Sequence, residues 1–242
     1  MLLRLPTSLP EARACLTEGA IPVGGATLVW ATWQRDGFPE QAMSLREVPE
    51  ANVLGAEELG AAVLLHRVDD RVPEVLRAAA AGIGTGAVRR TATVGGNLVG
   101  STLRCLLPAA TVLGARALVL GVDGPYETEL PELLAKQPLL IGLRWRTPVA
   151  SGYRKLAEVP GGPPPFVIAT AVYDTLAAGP ELRLAVREGY EFLSERVPCE
   201  GLGATDVMSA LADTAIGALS DELREAVREQ IATVLERATG SR

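Results

Sequence analysis

The chain has 242 residues, 48% of them apolar and 21% charged, the composition of a folded protein with a sizeable core rather than of a disordered chain. A formal net charge of -6, with basic pairs such as Arg89-Arg90 short and isolated, argues against a nucleic-acid partner, because phosphate neutralisation needs a dense basic face.

Taken in order, Ser8 followed by Glu11 fits a capping box, in which the serine oxygen accepts from the third helical N–H and the carboxylate reaches back. It opens a predicted helix over 9–18 that Gly19 stops. Residues 21–23 read as a short strand, 28–34 as a helix ending before Gly37, and 42–45 as a second strand of the same small sheet. The pattern restarts with a candidate strand over 53–56 and helical periodicity over 57–65 and 73–81, where Pro73 is acceptable in a first turn. The stretch Gly82-Ile83-Gly84-Thr85-Gly86 follows a helix rather than a strand and lacks the third glycine of a dinucleotide fingerprint, so it reads as a helix stop and loop. Residues 108–114 predict a helix and 117–122 and 139–146 predict strands, with Asp123-Gly124 as a turn signal. After Pro148 the segments 153–159, 166–175 and 182–188 read as three antiparallel strands separated by G-G-P-P-P and G-P. Predicted helices over 206–219 and 221–237, capped by Thr205 and Ser220, complete the chain. The expected architecture is α+β: two small α/β subdomains, 1–52 and 53–148, then a three-stranded antiparallel sheet with C-terminal helices over 149–242, without a linker long enough to make them independent.

The stretch around which this pattern is arranged is T-A-T-V-G-G-N, residues 91–97, with an earlier echo V-G-G-A-T, residues 23–27. Each Gly-Gly follows a β-branched residue at a predicted strand end. A Gly pair there tolerates positive φ and carries no Cβ, so successive N–H groups can turn toward one anion. Two such loops are suited to hold a pyrophosphate between them, and the strand–Gly-Gly–helix order aims a helix N-terminus at the same place. Thr27, Thr91, Thr93 and Asn97 add short hydrogen-bonding side chains suited to phosphate or ribityl oxygens. On these residues alone an ordinary tight turn at each Gly-Gly stays open as the plainer reading.

Other chemistry is sparse. Cys15, Cys105 and Cys199 are odd in number, far apart and without a C-x-x-C pair, which argues against a disulfide framework or a cysteine-held iron–sulfur or zinc site in this chain and points to a reducing cytoplasm. His66, the only histidine, ends an apolar run and reads as a partly buried core or surface residue rather than a catalytic base. The opening M-L-L-R-L-P-T-S-L-P-E lacks a signal-peptide apolar region, and the apolar run at 105–115 falls short of the roughly 20 residues a membrane span needs. The expectation is a soluble cytoplasmic protein.

The segment V-R-R-T-A-T-V-G-G-N-L, residues 88–98, is similar nearly position for position to V-R-N-x-A-T-I-G-G-N-L, and V-G-G-A-T-L stands in place of A-G-G-x-S/D-L. With the opening L-P-T-S-L-P-E-A, and weaker echoes at Tyr153-Arg154-Lys155 and Ser220-Asp221, the sequence resembles the FAD-binding flavoprotein subunit of the molybdenum hydroxylases, the group of xanthine dehydrogenase and carbon monoxide dehydrogenase. The resemblance covers nearly the whole chain. It implies a PCMH-type FAD-binding fold with both Gly-Gly loops on the FAD pyrophosphate and the isoalloxazine near the third subdomain. The cofactor-binding residues implied are Val23, Gly24, Gly25, Ala26, Thr27, Leu28, Thr91, Thr93, Val94, Gly95, Gly96, Asn97, Leu98, Tyr153 and Lys155. It also implies an iron–sulfur small subunit and a molybdenum-cofactor large subunit as partners in a hetero-oligomer.

Two departures from the family pattern stand out. The segment after G-G-N-L, V-G-S-T-L-R-C-L-L-P, has no acid where the family places carboxylates, and G-G-P-P-P replaces an Asp before the strand at 166–173. Two functions follow for comparison. One is an electron-transfer flavoprotein subunit, which needs no nucleophile, base or metal-ligand set of its own because the cofactor carries the chemistry. The other is a flavin-free subunit that keeps the fold for assembly.

Overall fold

The computed structural model describes residues 1–157, 162–175 and 179–240. They fall into two compact units, the first made of Met1–Val72, Ala80–Leu106 and Ala115–Trp145, the second of Pro73–Ala79, Leu107–Gly114 and Arg146–Arg242.

The first unit opens with β1 (Leu2–Arg4), α1 (Leu9–Thr17), β2 (Ile21–Pro22), α2 (Val29–Asp36) and β3 (Gln41–Met43), the strands forming a parallel sheet in the order β1-β3-β2. Ser8 Oγ accepts the Glu11 N–H at 3.4 Å, as a cap should, but the Glu11 carboxylate reaches one residue further back than a capping box requires, to the N–H and hydroxyl of Thr7 at 2.7 and 3.0 Å. Ala12 and Cys15, one turn apart, face inward. They join Met43, Leu45, Val48, Leu120 and Ile141 in one buried cluster, so the parallel sheet shares a core with strands that follow much later in the chain.

Those later strands are β4 (Glu58–Gly60), then, after α3 (Glu74–Ala81), α4 (Gly86–Arg89) and α5 (Leu107–Val112), the strands β5 (Arg116–Leu120) and β6 (Pro125–Glu129), α6 (Leu130–Lys136) and β7 (Leu139–Arg144). They form an antiparallel sheet ordered β4-β7-β5-β6. The candidate strand at 53–56 is absent apart from a single bridge between Leu54 and Leu59, and the expected helix at 57–65 is replaced by β4, a turn at Ala61 and Ala62, and the start of a 3-10 turn at Leu65. Its backbone has better partners elsewhere: Gly60 pairs with Gly142, the Ala61 N–H donates to Ile141 O at 2.7 Å, and the carbonyls of Ala61 and Val63 accept from Gly95 and Val94. A Cβ at Gly60 would sit 2.2 Å from Ala51 O, so the close approach depends on glycine. Neither β6 nor α6 is expected from sequence; P-Y-E-T-E is an edge strand with only Thr128 buried and so lacks apolar alternation.

The second unit contains β8 (Ala150–Lys155), β9 (Val167–Thr175), β10 (Gly179–Glu188) and β11 (Glu191–Pro198), in an antiparallel sheet ordered β11-β10-β9-β8, followed by α7 (Ala204–Ala210) and α8 (Asp221–Gly240). The sheet has four strands rather than three, because the charged edge strand β11 carries no strong apolar pattern. Residues 158 and 159 of the expected strand at 153–159, and Gly161 of G-G-P-P-P, lie outside the described residues. The expected helix at 206–219 is only α7, capped at Gly203 and not Thr205: Asp206 Oδ2 accepts the Gly203 N–H at 3.0 Å. Beyond it the chain turns at Gly217, where a Cβ would meet Ala212 O at 2.3 Å. Ser220 caps α8 as expected, accepting the Leu223 N–H at 3.4 Å. α8 buries Ala226, Val227, Ile231, Val234 and Ala238 against Ile168, Val172 and Leu184 of the sheet in one cluster. No described helix is long and apolar enough to cross a membrane.

Candidate functional site

Val23 is the last residue of the first motif held by the parallel sheet, its N–H donating to Met43 O at 2.8 Å. The next four N–H groups, of Gly24, Gly25, Ala26 and Thr27, have no acceptor among the described residues. The chain curls there with Ala26 at φ 56°, and Ala26 O then accepts the Trp30 N–H at 3.0 Å, so the run of free donors leads directly into α2. Such a row of unpaired N–H groups at the head of a helix is a cradle for an anion. Leu28 and Trp30 beside it are half exposed, at 50% and 49%, and Trp30 packs edge-on against Phe38 with ring centroids 5.4 Å apart.

The second motif is built differently. Thr93 bridges to Leu64, and the chain then enters a helical turn ending in a wide π-type turn over Gly96–Gly100, so its Gly-Gly does not lie at the end of a strand. The N–H groups of Val94 and Gly95 donate to Val63 O and Ala61 O at 3.0 and 2.8 Å, and those of Gly96 and Asn97 to Thr93 Oγ1 and Thr93 O at 3.1 and 3.0 Å. Val94 and Leu98 are fully buried. Buried Asn97 turns its Oδ1 to the Leu106 N–H at 2.9 Å, and the Thr91 hydroxyl donates to Ala87 O at 3.1 Å. The backbone N–H groups of Val94 to Asn97 are therefore all engaged within the protein, and the motif is a braced platform.

The two motifs meet. A Cβ at Gly24 would lie 2.3 Å from Thr93 Oγ1, and one at Gly25 would lie 1.7 Å from Thr91 O. None of Gly24, Gly25, Gly95 and Gly96 has a positive φ, so at Gly24 and Gly25 close packing and not dihedral freedom is what requires glycine, while a Cβ at Gly95 or Gly96 would meet its nearest atom at 3.0 or 3.1 Å. The structure thus brings together residues 23–28 and 91–98. Tyr153 and Lys155 lie in the second unit on β8, paired with Ala169 and Val167 of β9. The support supplied by Ala61 and Val63 carries no local sequence signal, since their periodicity is helical and their contacts with 94–95 are long-range. His66 is exposed, with Nδ1 3.2 Å from Arg89 O.

The donors present fit the diphosphate of FAD: four consecutive N–H groups without an acceptor among the described residues, backed by Thr91 and Thr93 of the second motif. Residues 3–140 match the family described as the FAD binding domain in molybdopterin dehydrogenase. A search of curated proteins finds no match. Among solved structures, reconstituted CO dehydrogenase from Oligotropha carboxidovorans is similar in fold, with a TM-score of 0.72 at 18% identity over 100% of this chain and 98% of that one. Quinoline 2-oxidoreductase from Pseudomonas putida 86 gives 0.68 at 19% identity, and a CO dehydrogenase from Hydrogenophaga pseudoflava lacking the Mo-pyranopterin moiety gives 0.71 at 18%, each over 100% of this chain and 98% of the other. The family match spans more than half of the sequence and contains both glycine motifs, and the chain belongs to the family of FAD binding domains in molybdopterin dehydrogenase, with FAD as its cofactor.

Proposed function

We propose that this chain is the FAD-carrying electron-transfer subunit of a molybdenum hydroxylase-type dehydrogenase, taking electrons from an iron–sulfur partner and releasing them to an external acceptor, and not active alone. The observation that carries this reading is the row of free N–H groups over 24–27 set on the platform of Thr91 and Thr93, an arrangement for holding a cofactor rather than for acid–base chemistry. FAD, when bound, supplies the redox chemistry. The chain's own residues bind and orient it: Gly24, Gly25, Ala26 and Thr27 take the diphosphate oxygens, and Thr91, Thr93 and Asn97 fix the loop beneath.

Three scattered cysteines, two of them buried, do not make an iron–sulfur site, so that centre comes from another chain. The similarity in fold to CO dehydrogenase and quinoline 2-oxidoreductase supports an oxidoreductase assembly. So does α2, which buries none of its residues and shows Trp30 to solvent, as a subunit surface does before a partner covers it. Purification from the native source tests the proposal. A flavin absorption spectrum, with a cysteine-rich small subunit and a molybdenum-cofactor large subunit in the same complex, is the expected result. Isolation as a lone active dehydrogenase would contradict it, and an intact complex whose subunit neither holds nor takes up FAD would favour the flavin-free assembly subunit.

A further inference from the structure

The loop between the wide turn at Gly96–Gly100 and α5 contains an arginine that the fold itself does not use. Arg104 has a backbone φ of 40°, in the left-handed region that an L residue enters only at a cost. Its side chain is half-buried, and its Nε is closed off from solvent without a hydrogen-bond partner among the described residues. A buried cationic donor lacking an acceptor is unfavourable, and it becomes favourable when an anion arrives.

The loop is held in place rather than loose, because the Leu106 N–H donates to the buried Oδ1 of Asn97 at 2.9 Å. No Asp or Glu between Leu98 and Pro108 competes for the guanidinium. At the start of the loop, a Cβ at Gly100 would lie 3.8 Å from Leu28 Cδ1, so the segment leaves the second motif alongside the end of the first. There the backbone offers four free N–H groups but no positive charge. A diphosphate bears negative charge on both phosphates and presents paired oxygens that match the guanidinium fork.

We infer that Arg104 is a phosphate-binding residue, placing its guanidinium on the FAD diphosphate opposite the N–H groups of Gly24 to Thr27. The inference rests on the proposed placement of the diphosphate at those N–H groups. It is tested by calorimetric titration of the full chain with FAD and separately with ADP, which shares the diphosphate but lacks the flavin, for the wild type, Arg104→Lys and Arg104→Gly. Glycine suits φ 40°, so Arg104→Gly is expected to keep or raise the melting temperature while weakening both ligands about tenfold to a hundredfold, with Arg104→Lys in between. Opposite movement of stability and affinity is what a merely structural arginine would not produce. FAD and ADP affinities of Arg104→Gly within about twofold of wild type would overturn the inference and leave the diphosphate site standing. Loss of FAD binding with ADP binding unchanged would also overturn it, assigning the guanidinium to the flavin end. A wild type that binds neither ligand would remove the diphosphate site and the inference together.

Discussion

A Cβ on Gly25 would lie 1.7 Å from the carbonyl oxygen of Thr91, and a main-chain atom held in a braced turn cannot swing aside. At Gly24 the obstacle is Thr93 Oγ1 at 2.3 Å, a side-chain atom that can turn aside by giving up its bond to the Gly96 N–H. Gly25→Ala is therefore expected to destabilise by about 3 kcal/mol and Gly24→Ala by about 1 kcal/mol, read from urea unfolding; equal costs would contradict the packing described. Between them and α2, Ala26 holds φ 56°, and Ala26→Gly is expected to stabilise by about 1 kcal/mol, a gain that a lower unfolding midpoint would rule out. Elsewhere, the Asp69 carboxylate accepts from Arg71 Nε and Nη2 at 2.9 and 2.8 Å and from the Arg71 N–H at 3.2 Å, and these bonds lower its pKa from 3.8 to about 2. A depressed acid contributes stability that is present above its unfolded pKa and is lost as the pH falls through the folded value, so the contribution of Asp69 fades between 3.8 and about 2. A carboxyl carbon titration by NMR should show this midpoint and its return to the ordinary range in Arg71→Ala.

Among the elements, β9 carries a deeply buried tyrosine. The hydroxyl of Tyr173, 1% exposed, lies 3.0 Å from Leu113 O and 2.9 Å from Arg146 O, and the Arg183 and Arg146 guanidinium carbons are 4.3 and 5.1 Å from its ring centroid. One phenol thus ties the end of α5 and the start of the C-terminal segment to the sheet. Tyr173→Phe keeps the ring but removes the one O–H shared by the buried Leu113 carbonyl and the partly buried Arg146 carbonyl, and is expected to cost about 1–3 kcal/mol; an unchanged urea midpoint would contradict it. The same unit has a polar contact inside its core. Gln230 of α8 donates to Thr170 Oγ1 at 3.2 Å, and Thr170 to Gly152 O at 3.3 Å, and a Cβ at Gly152 would meet Gln230 Nε2 at 2.4 Å. Glycine in β8 is what lets the helix come that close.

At the scale of the whole molecule the question is how firmly the chain holds its cofactor. Between Leu98 and Pro108 the polar side chains are Ser101, Thr102 and Arg104, so ribose or ribityl hydroxyls find no carboxylate in this segment. A hydrogen bond to a charged group contributes about 1.5–3 kcal/mol against about 0.5–1.5 for a neutral one, so the absence of one or two such acceptors weakens FAD on the order of tenfold to a few hundredfold. The chain is expected to purify partly free of flavin and to take it up from excess FAD, with calorimetry giving a dissociation constant well above nanomolar; nanomolar binding would refute the loosening.

What was legible from sequence alone was whatever local chemistry repeats at short range. The Ser8 and Ser220 caps, the apolar spacing of α8, the strands at β9 and β10 and the two glycine motifs all follow from steric and capping rules that act within a few residues. Tertiary structure alone decided the rest, because it depended on partners far along the chain. Residues 57–65 have helical periodicity, yet Ile141, Val94 and Gly95 take the hydrogen bonds of Ala61 and Val63 that a helical ladder would have used. The polar edge strands β6 and β11 exist because a neighbouring strand offers a ladder, not because their own residues alternate. The two Gly-Gly pairs, alike as sequence, differ in the fold for the same reason. The donors of the second are consumed by Ala61 and Thr93, while those of the first find no acceptor among the described residues.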